Sequence, residues 1–252
     1  MTVRLLHGAR ALAPLAVILA ACRAGGDVPA AALPPAPRPA RALVERSVAY
    51  HGGAYAAGDT LRFRKTTELY TAADALERRG DQAHALAPAT QAGHWRDRAT
   101  GERVRYGANG ARSTLPGADT ARLRRAARAA VFTATLPQRL LDPGARLGAP
   151  RDTIVFGRAA VALPVDYPDG GPAAEPWVHF FDAATARHLG YFVDHGGEDA
   201  LVRNVADTAV AGRILPTRRV TTRVAEGRER FVRGRFRYEY RGVPRGRRAA
   251  AY

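Results

Sequence analysis

Seven histidines, two serines and one cysteine are the side chains of this 252-residue chain best suited to covalent or metal chemistry. Three histidines, His179, His188 and His195, fall in one stretch with Asp194 nearby. Zinc sites are built from a close ligand pair and further ligands elsewhere. His188 and His195 are seven residues apart, which on one strand puts them on opposite faces and more than ~20 Å from each other. His51-Gly52-Gly53 and His195-Gly196-Gly197-Glu198-Asp199 read as glycine turns. No metal site and no cofactor are expected. Ser47 and Ser113 sit in no Gly-x-Ser-x-Gly context, and no Gly-x-x-x-x-Gly-Lys loop is present. No catalytic residue is assigned. An envelope hydrolase using His179, His195 and Asp194 stands as an alternative.

Cys22 has a better-defined context. Arg4 and the His7–Arg10 segment form a basic lead, followed by an apolar run from Ala11 to Ala21 that contains Pro14. A bilayer span needs ~20 apolar residues, so this run has the length of a signal-peptide core instead. It ends in Leu19-Ala20-Ala21-Cys22, which resembles the bacterial lipobox, where the cysteine is acylated and becomes the first mature residue. A thiol without a second cysteine has no disulfide partner, and acylation accounts for it. The expected segments are a signal peptide over 1–21, lipidated Cys22 with a Pro/Ala-rich tether over 22–40, one domain over 41–241, and a basic frayed tail over 242–252. Arg23 follows Cys22 where Asp would signal inner-membrane retention, so the expected site is the outer membrane, facing the periplasm.

The formal charge of +16 comes from 39 basic residues, of which only Lys65 is lysine. With the heavy use of Ala, Gly and Pro, this bias reads as GC-rich coding, and an exported chain seldom meets nucleic acid. No nucleic-acid partner is expected. Attraction to anionic lipid headgroups is the alternative to a merely solvated arginine surface.

The elements that must position these residues follow from periodicity. Leu43, Val44, Ser47, Val48 and His51 share one face of a helix from Ala40 to Tyr50, closed by Gly52 and Gly53. A strand over Thr60–Thr71 alternates Leu61, Phe63, Thr67 and Leu69 with polar residues, interrupted by Lys65. Weaker strands are expected over Gln82–Leu86, His94–Arg98 and Arg103–Tyr106. A second helix over Ala118–Leu136 carries a stripe of Leu123, Ala127, Ala130, Val131 and Ala134, capped by Asp119 or Thr120 and closed by Pro137. Seven further strands are expected: Asp152–Phe156, Arg158–Asp166, Pro176–Asp182, Arg187–His195, Leu201–Ala206, Arg213–Ala225 and Glu229–Arg241. The sum is an α+β domain.

Several strings carry a likeness to a known group. They are Tyr50-His51-Gly52-Gly53, Leu61-Arg62-Phe63, Leu136-Pro137, Leu140-Leu141-Asp142-Pro143, Trp177-Val178-His179-Phe180-Phe181-Asp182 and Leu189-Gly190-Tyr191. With the order of elements, they resemble an uncharacterised lipoprotein family within the LolA/LolB-like superfamily of lipoprotein carriers. The resemblance implies a curved antiparallel sheet, a half-open β-barrel, with two main helices packed on its concave side. It also implies an apolar or lipid-like ligand, or a lipoprotein acyl chain. Phe63, Phe156, Val178, Phe180, Tyr191, Val193, Phe236 and Tyr238 are the candidates to line its cavity. A structural lipoprotein with a filled core and no ligand is the alternative.

Overall fold

A computed structural model of the chain describes residues 39–107, 109–167, 175–196 and 199–241. Cys22, nearly all of the tether, Ala108 and the basic tail lie outside them.

Among the described residues thirteen strands build one antiparallel sheet. In chain order they are β1 (Leu61–Tyr70), β2 (Leu76–Ala87), β3 (Ala92–Asp97), β4 (Arg103–Gly107), β5 (Gly110–Ser113), β6 (Arg146–Leu147), β7 (Arg151–Val155), β8 (Arg158–Asp166), β9 (Trp177–Asp182), β10 (His188–Val193), β11 (Asp199–Val210), β12 (Arg213–Ala225) and β13 (Arg228–Tyr240). Helix α1 (Ala40–Tyr50) precedes β1. Helix α2 (Thr120–Ala134) and a 3-10 turn (Gln138–Leu141) separate β5 from β6. The lateral order is β5-β4-β3-β2-β1-β13-β12-β11-β10-β9-β8-β6, with β7 paired to β8 off this path. The sheet is therefore open and curved, as the sequence leads one to expect.

Helix α1 buries Leu43, Val44, Ser47 and Val48, the predicted face. It ends at Gly52 (φ +91°) and Gly53 (φ +84°). Gly52 is needed twice over, since a Cβ there would lie 2.3 Å from the carbonyl oxygen of Gly212. Arg213 then fixes the following loop: its guanidinium donates to the carbonyls of Gly53 (2.9 Å) and Ala54 (2.8 Å) and pairs with Asp59 at 3.2 Å.

Helix α2 starts at Asp119, whose Oδ1 accepts from the backbone N–H groups of Ala121 and Arg122 at 2.9 and 3.0 Å. Those bonds favour the ionised carboxylate and lower its pKa. Asp119→Ala should destabilise the start of α2 by removing this cap. Thermal unfolding should then shift down by about 2–4 °C; an unmoved midpoint would mean the cap is silent. The buried stripe is Leu123, Ala127, Val131, Phe132 and Ala134. Two sequence expectations change here: Ala130 is only half-buried, and Phe132 belongs to the stripe. Thr135 ends the helix, its hydroxyl donating to Val131 O at 2.6 Å.

Strands β5 and β6 have no counterpart in the sequence expectations, and β2 and β11 are at least twice as long as expected. Gly110–Ser113 and the exposed Leu76–Arg79 segment carry no apolar alternation, so pairing with a neighbour holds them rather than their own period. Asp182 holds the tight turn after β9: its Oδ1 accepts from the backbone N–H of Ala184 (3.1 Å) and of Thr185 (2.9 Å), and from the Thr185 hydroxyl (2.9 Å).

Candidate functional site

Register decides which side chains meet. Phe63 pairs with Tyr240 on one side and His84 on the other, and His84 pairs with Trp95. These four lie on one face, and their rings run in a continuous row. Phe63 stacks on His84 at 4.8 Å and 6°; His84–Trp95 and Trp95–Tyr106 follow at 5.9 and 5.4 Å. Tyr238 and Tyr240 close on Phe63 at 5.9 and 5.7 Å. Leu123, Ala127, Val131 and Ala134 of α2 pack into the same cluster, with Leu61, Leu86 and Val104.

A second aromatic cluster sits further along the same face. Tyr191 pairs with His179 and with Val202, and Val193 with Trp177. Phe132 of α2 meets Trp177 at 5.0 Å, Tyr167 at 5.6 Å and His179 at 6.4 Å. Leu43, Val44 and Val48 of α1 belong to this cluster. Phe132 is thus the side chain by which α2 reaches the second group, while Leu123, Ala127, Val131 and Ala134 reach the first.

The predicted lining residues divide between the two faces. Phe63, Phe236 and Tyr238 join the first cluster, and Tyr191 and Val193 the second. Phe156, Val178 and Phe180 lie on the opposite face with Ala160, Ala162 and Leu189, so the eight do not line one volume. The reason is strand parity: Val178 and Phe180 alternate with Trp177, His179 and Phe181. Phe156 occupies the β7–β8 turn at φ +54°, outside either strand. His84, Trp95, Tyr106, Phe132 and Tyr167 escaped the sequence reading. The alternation of His94 to Arg98 could have flagged Trp95, but the others depend on pairing across strands.

Behind the second cluster lies a buried polar chain. His51 Nδ1–H donates to Ile214 O at 2.8 Å, and its Nε2 accepts from the backbone N–H of His188 at 3.2 Å. Arg219 Nε donates to Asn204 Oδ1 at 2.9 Å, which turns the Asn204 amide nitrogen toward His188 O (3.0 Å) and His188 Nδ1 (3.4 Å). His188 must then carry its proton on Nε2 and donate to His179 Nδ1, 3.1 Å away. The remaining proton of His179 is on Nε2, which has no partner among the described residues. Burial depresses the pKa of His179 to about 3 and that of His188 well below its ordinary value, with His179, His51 and Arg219 adding to the latter. Both rings are neutral.

Unpartnered polar atoms recur on this face. Tyr167 Oη, Trp177 Nε1, His179 Nε2, His84 Nδ1 and Tyr106 Oη are all buried without a hydrogen bond among the described residues. Beside Tyr106 a groove of about 580 Å³ opens between α2 and the β4–β5 hairpin, with Ala127 and Val131 against it and Arg124 and Arg128 at its rim. Arg139 anchors the far end of α2. It donates to Thr135 Oγ1 (3.0 Å), to Asp142 (3.1 and 3.3 Å) and to the carbonyl of Pro88.

The hydrolase alternative is not assembled. His179 is fully buried, whereas Asp194 and His195 lie in the exposed loop after β10, where His195 pairs with Glu175 at 2.9 Å. Among the described residues no group of three His, Cys, Asp or Glu side chains could hold a metal ion.

No family model and no curated protein matches the chain at the level of sequence. Solved structures do resemble it. A LolA superfamily protein from Nitrosomonas europaea superposes with a TM-score of 0.55 at 10% identity, over 79% of this chain and 91% of that one. A domain from Vibrio parahaemolyticus assigned to outer membrane lipoprotein sorting gives 0.49 at 13% identity, over 79% and 91%. A DUF1329 family protein from Desulfovibrio piger gives 0.42 at 11%, over 80% and 91%. By the first of these likenesses, and by its open antiparallel sheet with two helices, the chain has the LolA-like fold.

Proposed function

We propose that this chain is a lipid-anchored envelope protein that binds an apolar, lipid-like ligand, a lipid or the acyl chain of a lipoprotein, between α2 and the sheet face that carries the aromatic rows. The observation that carries this reading is the set of unpartnered buried polar atoms around Phe132: Tyr167 Oη, Trp177 Nε1 and His179 Nε2. Folded proteins leave few such atoms, and each costs ~1–3 kcal/mol. Ester or amide carbonyls of a ligand would accept from Trp177 and His179 once α2 lifts Phe132 away. In this reading both helices cover the concave side of a half-barrel, and the groove beside Tyr106 is the entrance.

The anchor would be acylated Cys22, each buried methylene adding ~0.8 kcal/mol of membrane affinity. The LolA-like fold supports an envelope location in this reading, and Arg23 favours the outer membrane. The chain acts in this reading as a binder rather than an enzyme, without a cofactor.

Native mass spectrometry of the purified protein should show a co-purifying lipid, and a fluorescent fatty acid should bind saturably. Ala127→Phe, which fills the groove, should weaken probe binding tenfold or more, whereas Phe132→Ala should tighten it by ~1 kcal/mol or more. A protein without bound lipid whose probe signal neither saturates nor responds to either variant would overturn the proposal. Cys22→Ser should abolish palmitate labelling and release the protein from membranes.

A further inference from the structure

The sheet face opposite the aromatic rows is charged over β13 and β1 to β5. Pairing sets its residues in transverse rungs. Arg62 lies beside Arg241 through the Arg241 N–H to Arg62 O bond (3.0 Å), then pairs with Ala85; Ala85 pairs with His94, His94 with Arg105, and Arg105 with Arg112. The rung crosses six strands, ~24 Å at the usual inter-strand spacing. It contains four arginines and no carboxylate. The next rung holds Arg64, Arg96 and Arg103 with a single acid, Glu239. Arg64 is held by Asp81 at 2.8 Å and approaches Glu239 at 3.6 Å. Arg62, Arg96, Arg105 and Arg112 are exposed, with no ion pair among the described residues. The small side chains of Ala83 and Ala85 leave a trough of about 590 Å³ between Arg62 and Arg64 of β1 and Arg96 of β3.

We propose that this face docks on an anionic phospholipid surface. Four exposed arginines without an ion pair, spread over two neighbouring rungs, match an array of phosphates rather than one bound ion, and guanidinium groups take phosphate oxygens two at a time. A membrane surface potential acts on just such cations within a Debye length. Single-stranded nucleic acid is a poorer match, because it needs aromatic platforms beside the cations. Here Phe63, Trp95 and Tyr106 all lie on the opposite face. The docking face is independent of the interior ligand site proposed above.

The test uses the full-length chain with Cys22→Ala, so that acylation cannot hold it on vesicles. It should co-sediment with vesicles of phosphatidylglycerol and phosphatidylethanolamine at least tenfold more strongly than with phosphatidylcholine, and lose that advantage between 50 and 500 mM NaCl. Arg62→Gln, Arg96→Gln, Arg105→Gln and Arg112→Gln together should lower binding tenfold or more. Removing the same charge elsewhere, by Arg122→Gln, Arg125→Gln, Arg151→Gln and Arg228→Gln, should lower it less than threefold. Arginine-selective labelling of the parent needs no variant: bound vesicles should protect Arg62, Arg96, Arg105 and Arg112. Equal losses in the two quadruple variants, equal binding to neutral vesicles, or protection confined to other arginines would overturn the proposal. So would duplex DNA that binds more tightly than anionic vesicles through the same four residues.

Discussion

Taken from pH 7.5 to 5, the protein should lose several kcal/mol of unfolding free energy, with the decline starting near pH 6.5. Four buried histidines set this. Burial lowers His84 to about 3, helped by Lys65 and His94, and lowers His179 to about 3. Burial also lowers His51, against the Ile214 carbonyl, and His188. In the unfolded chain each takes up a proton near pH 6.5. The unfolded state therefore binds more protons, stability is complete above that pH, and it falls as pH drops toward the folded values. A histidine held neutral costs about 2 kcal/mol at pH 5, so His84 and His179 alone account for ~4 kcal/mol. Against a usual total of ~5–15 kcal/mol that is a large fraction. Urea midpoints measured across this range should show it, and His84→Phe should flatten the profile by about one proton. A midpoint indifferent to pH would mean these rings are hydrated and charge freely.

The second large effect is expected at Gly190. It sits at the irregularity where β10 shifts register against β9, with φ +150°. A Cβ would lie 2.0 Å from Val202 O and 3.1 Å from Arg203 Cα, both backbone atoms of the paired strand. Nothing flexible can give way, so Gly190→Ala must push β10 from β11 and disturb Tyr191 and the His188–Asn204 bonds. A loss of more than ~4 kcal/mol is expected, enough to prevent folding or bring the urea midpoint near zero. Gly196→Ala is the control. It too has positive φ (+73°), but nothing lies within 4 Å of the added carbon, so only the left-handed penalty of ~1 kcal/mol applies. Equal stability of the two variants would refute the close approach.

Much of this fold is legible because the strands advertise themselves. In β13, Phe236, Tyr238 and Tyr240 alternate with Arg235, Arg237 and Glu239, and in α1 the apolar residues keep a helical spacing. What stayed hidden depends on pairing across the chain. Strand β9 is apolar on both sides, so alternation separates Trp177, His179 and Phe181 from Val178 and Phe180 without telling which set faces the helices. Hence Phe156, Val178 and Phe180 fell in with residues of the other face. His179 and His188 look unrelated at nine positions apart, yet the hairpin between them brings their rings into contact. Phe132 lies beside the stripe marked out by Leu123, Ala127 and Val131, and only the second aromatic cluster shows what it meets.

The pairing of β1 with β13 joins the earliest and latest strands at the centre of the sheet. A growing chain that has reached Ala225 still lacks the strand that bridges its two halves, and contacts so far apart in sequence form slowly. Synthesis must run to Tyr240 before the sheet can close up.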